Sequence, residues 1–286
     1  MDFIDKVKQS WDTLVKPYQI TTNHSPRYQT RPDQKTLAVR PSYSIEAPPN
    51  LQNIIEEIGP LPAYSIIIGG CEDHSHLFMD LTDPAPGSIL IAGDDYSGRS
   101  RLLDSILFSA ILLNSPRRVR YALISPDLTG IEYLTQRPHC YKAQAIDSQG
   151  AIDLIYELAE TADFRRSHPQ AGCAIILAID NLASLLSSMD AEMVEQLRWL
   201  VQVGPEVQIW TIATINTEDV ESIDPDFINH FGTRLIGSVE SQQVVDFLNG
   251  AVESKPVEVI PGAQFSVFFD EDWIKFWIPA VEEVVS

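Results

Sequence analysis

The chain has 286 residues, 44% of them hydrophobic, enough to bury a large core and too many for a disordered chain. Its 40 acidic and 20 basic residues leave a net charge of −20, which argues against a free-standing grip on nucleic acid. Three cysteines, Cys71, Cys140 and Cys173, are widely spaced and form no C-x-x-C pair, so no disulfide framework is expected and a reducing compartment fits.

The charge is uneven along the chain. Residues 1–42 hold Lys6, Lys8, Lys16, Arg27, Arg31, Lys35 and Arg40 against Asp2, Asp5, Asp12 and Asp33, a net +3, which leaves −23 on the remainder. Phe3, Ile4, Val7, Trp11, Leu14 and Val15 recur at helical spacing and predict a short amphipathic helix, docked on the protein's own core or on a neighbour in preference to a membrane surface. Residues 19–50, rich in Pro, Gln, Thr and Tyr, read as an extended arm. The start lacks a basic-then-apolar leader pattern and no apolar run is long enough to span a bilayer, so a cytoplasmic protein is expected. The division expected is an arm over 1–50 and one domain over 51–286.

From Leu51 to Ile58 a helical turn is predicted. The segments 63–69 and 76–81 alternate as strands joined by a tight polar turn. Next come a buried-type strand at 88–92, a glycine-containing loop and a helix with Leu102, Leu103, Ile106, Leu107 and Ala110 facing inward. Further strands are expected at 119–125, 173–180, 207–214 and 233–239, with helices at about 149–167 and 190–201. Strands that are continuous apolar runs, alternating with helices, predict a mostly parallel sheet covered on both faces. The last segment reads as a hairpin, 264–269 and 273–278, across the acidic turn of Asp270, Glu271 and Asp272. Its Phe265, Phe268, Phe269, Trp273, Phe276 and Trp277 are expected to pack on the sheet, not to form a stacking platform for single strands.

The loop Gly93-Asp94-Asp95-Tyr96-Ser97-Gly98-Arg99-Ser100 fits G-x-x-x-x-G-K-[S/T] at every fixed position except the lysine, and it lies between a buried strand and a helix. Such a loop wraps a phosphate chain with backbone N–H groups while the helix N-terminus adds its positive dipole end. Ser100 takes the position whose hydroxyl holds Mg²⁺. Arg99 is a larger, planar replacement for a compact ammonium, and the carboxylates of Asp94 and Asp95 oppose a triphosphate unless they turn away. A second feature supports the first: Ala174-Ile-Ile-Leu-Ala-Ile-Asp180 is an apolar strand ending in the acid that would stand beside that magnesium. The following residue, where many such ATPases place a general-base glutamate, is Asn181, which orients water but takes no proton from it.

Taken in order, residues 63–248 resemble the motor domain of the FtsK/SpoIIIE translocases, in the FtsK–HerA group of RecA-like ATPases. Gly87 to Gly93, Arg99-Ser100 with Ile106 to Leu112, Val119 to Pro126, Arg137-Pro-His139, Cys173 to Leu186, Ile212 to Ile215 and Gly232-Thr-Arg234 carry the likeness. The resemblance implies a RecA-like P-loop core and assembly as an oligomer, usually a ring of six. In working members it implies ATP-driven transport of DNA or, in type VII secretion relatives, of protein. It also makes Arg234 a candidate catalytic arginine, lent across a subunit boundary, alongside a role in an ordinary salt bridge. The departures fall on chemistry: Arg99 for lysine, Asn181 for glutamate, Ile215 for glutamine, Ser125 for the aspartate of the strand at 119–125. The implied function is therefore a degenerate ATPase domain, nucleotide-binding or non-hydrolysing, with weak or no hydrolysis and with ATP and Mg²⁺ as its possible cofactors, acting as a regulatory or structural subunit through protein contacts in a larger assembly. An active DNA translocase or secretion motor, and a peptide-binding pseudo-ATPase, are the alternatives.

Cys71, Asp73, His74 and His76 lie close together but match no closed zinc pattern. Neither a G-x-S-x-G elbow nor an H-E-x-x-H pair occurs.

Overall fold

The computed structural model describes residues 47–168, 172–249, 256–269 and 272–281. The helix predicted over 2–17, most of the arm, and the turn residues 270–271 fall outside them. Within them ten strands form one sheet: β1 (Ser65–Cys71), β2 (His76–Asp80), β3 (Ile89–Gly93), β4 (Val119–Ser125), β5 (Cys140–Ala145), β6 (Ala174–Ile179), β7 (Ile209–Asn216), β8 (Thr233–Ile236), β9 (Gln264–Phe269) and β10 (Asp272–Trp277). Among the described residues eight α-helices accompany them: α1 (Leu51–Ile58), α2 (Arg99–Leu113), α3 (Glu132–Thr135), α4 (Gln149–Ser167), α5 (Leu182–Ser187), α6 (Ala191–Val203), α7 (Pro225–Asn229) and α8 (Gln242–Asn249).

The strand order is β2-β1-β10-β9-β8-β3-β7-β6-β4-β5. From β8 to β5 every pairing is parallel, and from β2 to β8 every pairing is antiparallel. Parallel strands are buried on both sides, which is why β3 and β6 are apolar throughout and wholly buried. Their side chains alternate between two cores. Ile89, Ile91, Ile176, Ala178, Trp210 and Ile212 meet α1 and α2, whereas Leu90, Ala92, Ile175, Leu177, Ala213 and Ile215 meet α4, α6 and the shorter helices. The fold class is α/β, as the alternation of apolar strands and helices predicts.

The C-terminal hairpin does not hang on the edge of the sheet, as its place in the chain suggests. It is inserted in the middle, with β10 against β1 and β9 against β8. Phe265 and Phe276 are fully buried and stack with ring centroids 6.3 Å apart, so the aromatic alternation is packing. Residues Gln242–Asn249 form the helix α8. Edge strand β5 has no fully buried residue and carries Lys142 and Gln144, so it gave no apolar run to read.

The functional consequence is positional. The carboxyl ends of β3, β6 and β7 lie side by side, because Gly93 pairs with Asn216 and Ile179 with Ala213. In open parallel sheets that edge is where ligands bind.

Candidate functional site

The turn between β3 and α2 begins at Gly93. Asp94 donates its N–H to the Ser238 carbonyl at 2.9 Å, and Ser97 donates its own back to Asp94 at 3.1 Å. Tyr96 at the tip takes φ 62° and is 94% exposed. Gly98 takes φ 93°, the left-handed region, and an added Cβ would sit 2.8 Å from the Ile278 methyl and 3.2 Å from Gly262. Only glycine fits there without strain. Helix α2 then starts with no side-chain cap on its first N–H groups. A helix N-terminus left this way presents donors and a positive dipole end to an anion.

The magnesium-type pair is assembled. Ser100 donates its hydroxyl to both oxygens of Asp180, at 2.9 and 3.1 Å, and Thr214 donates to Oδ1 at 2.8 Å. Sheet parity explains the meeting, since Asp180 continues the α2-facing register of Ile176 and Ala178, and Thr214 continues that of Trp210 and Ile212. The donor set, a hydroxyl and a carboxylate beside an uncapped helix start, suits nucleotide phosphates with a hard divalent cation.

The remaining positions depart from that pattern in specific ways. Arg99 stands at the lysine position, and its Nη2 lies 3.4 Å from Asp95 Oδ1. Burial presses its guanidinium below the ordinary value, while Asp95, Asp180, Asp219 and Asp94 pull in the other direction. Asp94 is turned to the wall of the site, accepting from the Thr217 hydroxyl and, at 2.7 Å, from the Glu240 N–H. Asn181 has φ 76° and spends its side-chain oxygen as the N-cap of α5, accepting from Ser184 N at 3.0 Å. Ile215 is buried in the core on the far face of the sheet. Arg234 lies on β8, facing that same core. Its guanidinium donates to the carbonyls of Leu248 and Ile228 and to the side-chain oxygen of Asn229, and burial lowers its pKa. The structure therefore brings the loop, Asp180 and Asn181 together and holds Arg234 in its own wall.

Several site residues escaped the sequence reading. Asn216 donates its amide to Asp95 Oδ1 at 2.8 Å. Asp104, one turn along α2 from Ser100, accepts from the Tyr133 hydroxyl at 2.7 Å, and burial pushes its carboxyl up to about 6. Gly262 donates to the Ser97 carbonyl at 3.1 Å, and its own carbonyl accepts from Arg101 at 3.2 Å, so the chain leading into β9 straps the loop. Outside the site, Asp73 turns back onto Ser75, and His139 is a packed residue whose Nε2 donates to the Asn114 carbonyl at 2.8 Å.

Residues 71–171 match the FtsK/SpoIIIE family. The ESX-5 secretion system protein EccC5 of Mycobacterium tuberculosis is 23% identical over 196 residues, which cover 58% of this chain and 14% of that protein. Its counterpart in Mycobacterium marinum is 24% identical over 190 residues, 56% of this chain and 14% of its own length. The chain thus spans about one seventh of the curated relatives it matches. Among solved structures, EssC (ATPases 2 and 3) from Geobacillus thermodenitrificans superimposes with a TM-score of 0.65 at 20% identity, over 79% of this chain and 47% of that one. Thermomonospora curvata EccC (ATPases 2 and 3), in complex with a signal sequence peptide, gives 0.64 at 17%, over 83% and 44%. The pCW3 conjugation coupling protein TcpA, monomer form with ATPγS, gives 0.63 at 17%, over 82% and 69%. The fold is that of these P-loop ATPase domains. Among the described residues no helix is long and apolar enough to cross a membrane.

Proposed function

We propose that this chain, whose residues 71–171 match the FtsK/SpoIIIE family, is a nucleotide-binding P-loop domain that hydrolyses ATP very slowly or not at all and works through protein contacts within a larger assembly. One observation carries the reading: Gly98 leads into the uncapped start of α2 beside the Ser100–Asp180 pair, an arrangement suited to phosphates, while the residue next to Asp180 is an amide consumed as a helix cap. Bound Mg–ATP would supply a polarised terminal phosphate. Gly98, Arg99 and Ser100 would bind and orient it, with Ser100 and Asp180 holding the cation. Asn181 has no basic atom, so the proton of an attacking water has no acceptor at that place.

In this reading residues 51–286 form the P-loop domain and residues 1–50 an arm whose basic excess suits the acidic body of a neighbouring subunit. The likeness to secretion-system proteins favours, as a second reading, a subunit of a type VII-like motor in which an active partner domain does the hydrolysis.

Steady-state ATP hydrolysis tests the primary reading. Loss of a positioned general base is worth about 10²–10⁴-fold. Wild-type turnover is expected to be lower by that factor than in an ATPase carrying the glutamate, and turnover near ~10 s⁻¹ would sink the reading. The double variant Arg99→Lys/Asn181→Glu is expected to recover part of the activity. A glutamate at φ 76° loses the cap and strains the backbone, so its melting curve must accompany the rates.

A further inference from the structure

Within the nucleotide-binding reading, on which this inference rests, Asp95 stands out because it occupies space the ligand needs. We propose that the Asp95 carboxylate is a built-in anion in the outer-phosphate subsite, so that the site takes nucleoside diphosphates in preference to triphosphates.

Two groups are placed to meet the outermost phosphate. Arg99 stands at the position whose cation reaches the β- and γ-phosphates. Asn216 ends the neighbouring strand β7, and its pairing with Gly93 sets its amide at the mouth of the loop. Both converge on one atom, Asp95 Oδ1, at 3.4 Å from Arg99 and 2.8 Å from Asn216. A carboxylate oxygen that accepts from a guanidinium and an amide has the chemistry of a phosphate oxygen in the same place.

The neighbouring carboxylate has no such role. Asp94 accepts from Thr217 and from the Glu240 backbone, which turns it to the wall. Nor does Asp95 cap α2: the first N–H groups of that helix carry no side-chain cap, so the donors for the inner phosphates stay open. The site therefore receives two phosphates on backbone donors and meets a third with the negative charge of Asp95. Asp95 is exposed at the rim, so a triphosphate can displace it. The displacement costs the contacts of Arg99 and Asn216 and sets two anions side by side, an effect of about tenfold in affinity at intermediate dielectric.

The test is calorimetric titration of Mg–ADP and of a non-hydrolysable Mg–ATP analogue into the wild-type protein, Asp95→Asn and, as a remote charge control, Glu160→Gln. Wild type is expected to hold the diphosphate about tenfold more tightly than the triphosphate. Asp95→Asn is expected to erase that preference by raising triphosphate affinity, leaving the diphosphate within about threefold, while Glu160→Gln behaves as wild type. Equal affinities in the wild type, or an unchanged preference in Asp95→Asn, would overturn the inference and leave the nucleotide-binding reading standing. If both proteins melt as folded domains and neither nucleotide binds either one, that reading falls and the inference with it.

Discussion

Asp104 shows how one side chain couples the site to solution conditions. Burial pushes its carboxyl up to about 6, the Tyr133 hydroxyl draws it partly back, and the charge of Asp180 adds to the rise. In the unfolded chain the same group titrates near ~3.9. Between these values the folded protein holds a proton that the unfolded one has released, so this group's contribution to stability falls as pH rises through that window. The ceiling is about 3 kcal/mol, reduced by whatever solvent reaches the carboxyl. Asp104→Asn keeps an acceptor for Tyr133 and removes the titration. Relative to wild type it is expected to gain stability between pH 4.5 and 7.5 in urea unfolding, and an unchanged difference would show that the charge is solvated. Gly93, Gly98, Ser100 and Asp180 were legible because spacing fixes them. Asn216 was not, because its role depends on sheet parity and no motif marks it: Ile215 faces the opposite core, whereas Asn216 shares the face of Thr214.

The loop that joins β3 to α2 is held as an element, from both ends and from above. Gly98 needs the left-handed conformation, and a Cβ added there would meet Gly262, in the strap into β9, and Ile278, the residue that follows β10. Gly98→Ala adds the strain of that conformation, about 1–2 kcal/mol, to a contact that must move aside. A loss of about 2–3 kcal/mol is expected in denaturant unfolding, with an unchanged slope because the extent of the core is the same. A loss below ~0.5 kcal/mol would mean that the strap is not seated on the loop. Elements were legible where burial forces a pattern. The β3 strand and the helix α4, with Ser148 as its N-cap, stand within a residue or so of their expected bounds. The β5 strand, half-buried throughout, and short helices such as α5 and α7 carry no periodicity long enough to recognise.

Across the whole molecule the hairpin of β9 and β10 decides whether the sheet is one cooperative body. Among the described residues, the strand pairings that join β1 and β2 to the parallel half run through it, Gly70 with Trp277 on one side and Leu235 with Val267 on the other. The last described residues of the chain thus complete a sheet whose loop and acid were set out much earlier in sequence, a long-range closure that chain order hid. Phe276 is fully buried between them, stacked on Phe265 and packed against Gly69. Phe276→Ala removes the ring and leaves a cavity where backbone on both sides is already paired, at a cost of about 3–5 kcal/mol. If the sheet is one unit, amide-exchange protection of Ile89–Gly93 must fall together with that of Ser65–Cys71, because neither half keeps its edge closed alone. Hydrogen exchange followed by mass spectrometry separates the outcomes. Protection lost in both segments by the same factor is expected. Protection lost only in Ser65–Cys71 would mean that the loop between β3 and α2 sits on a parallel core stable without the hairpin, and that the strap through Gly262 works from outside as an independent part.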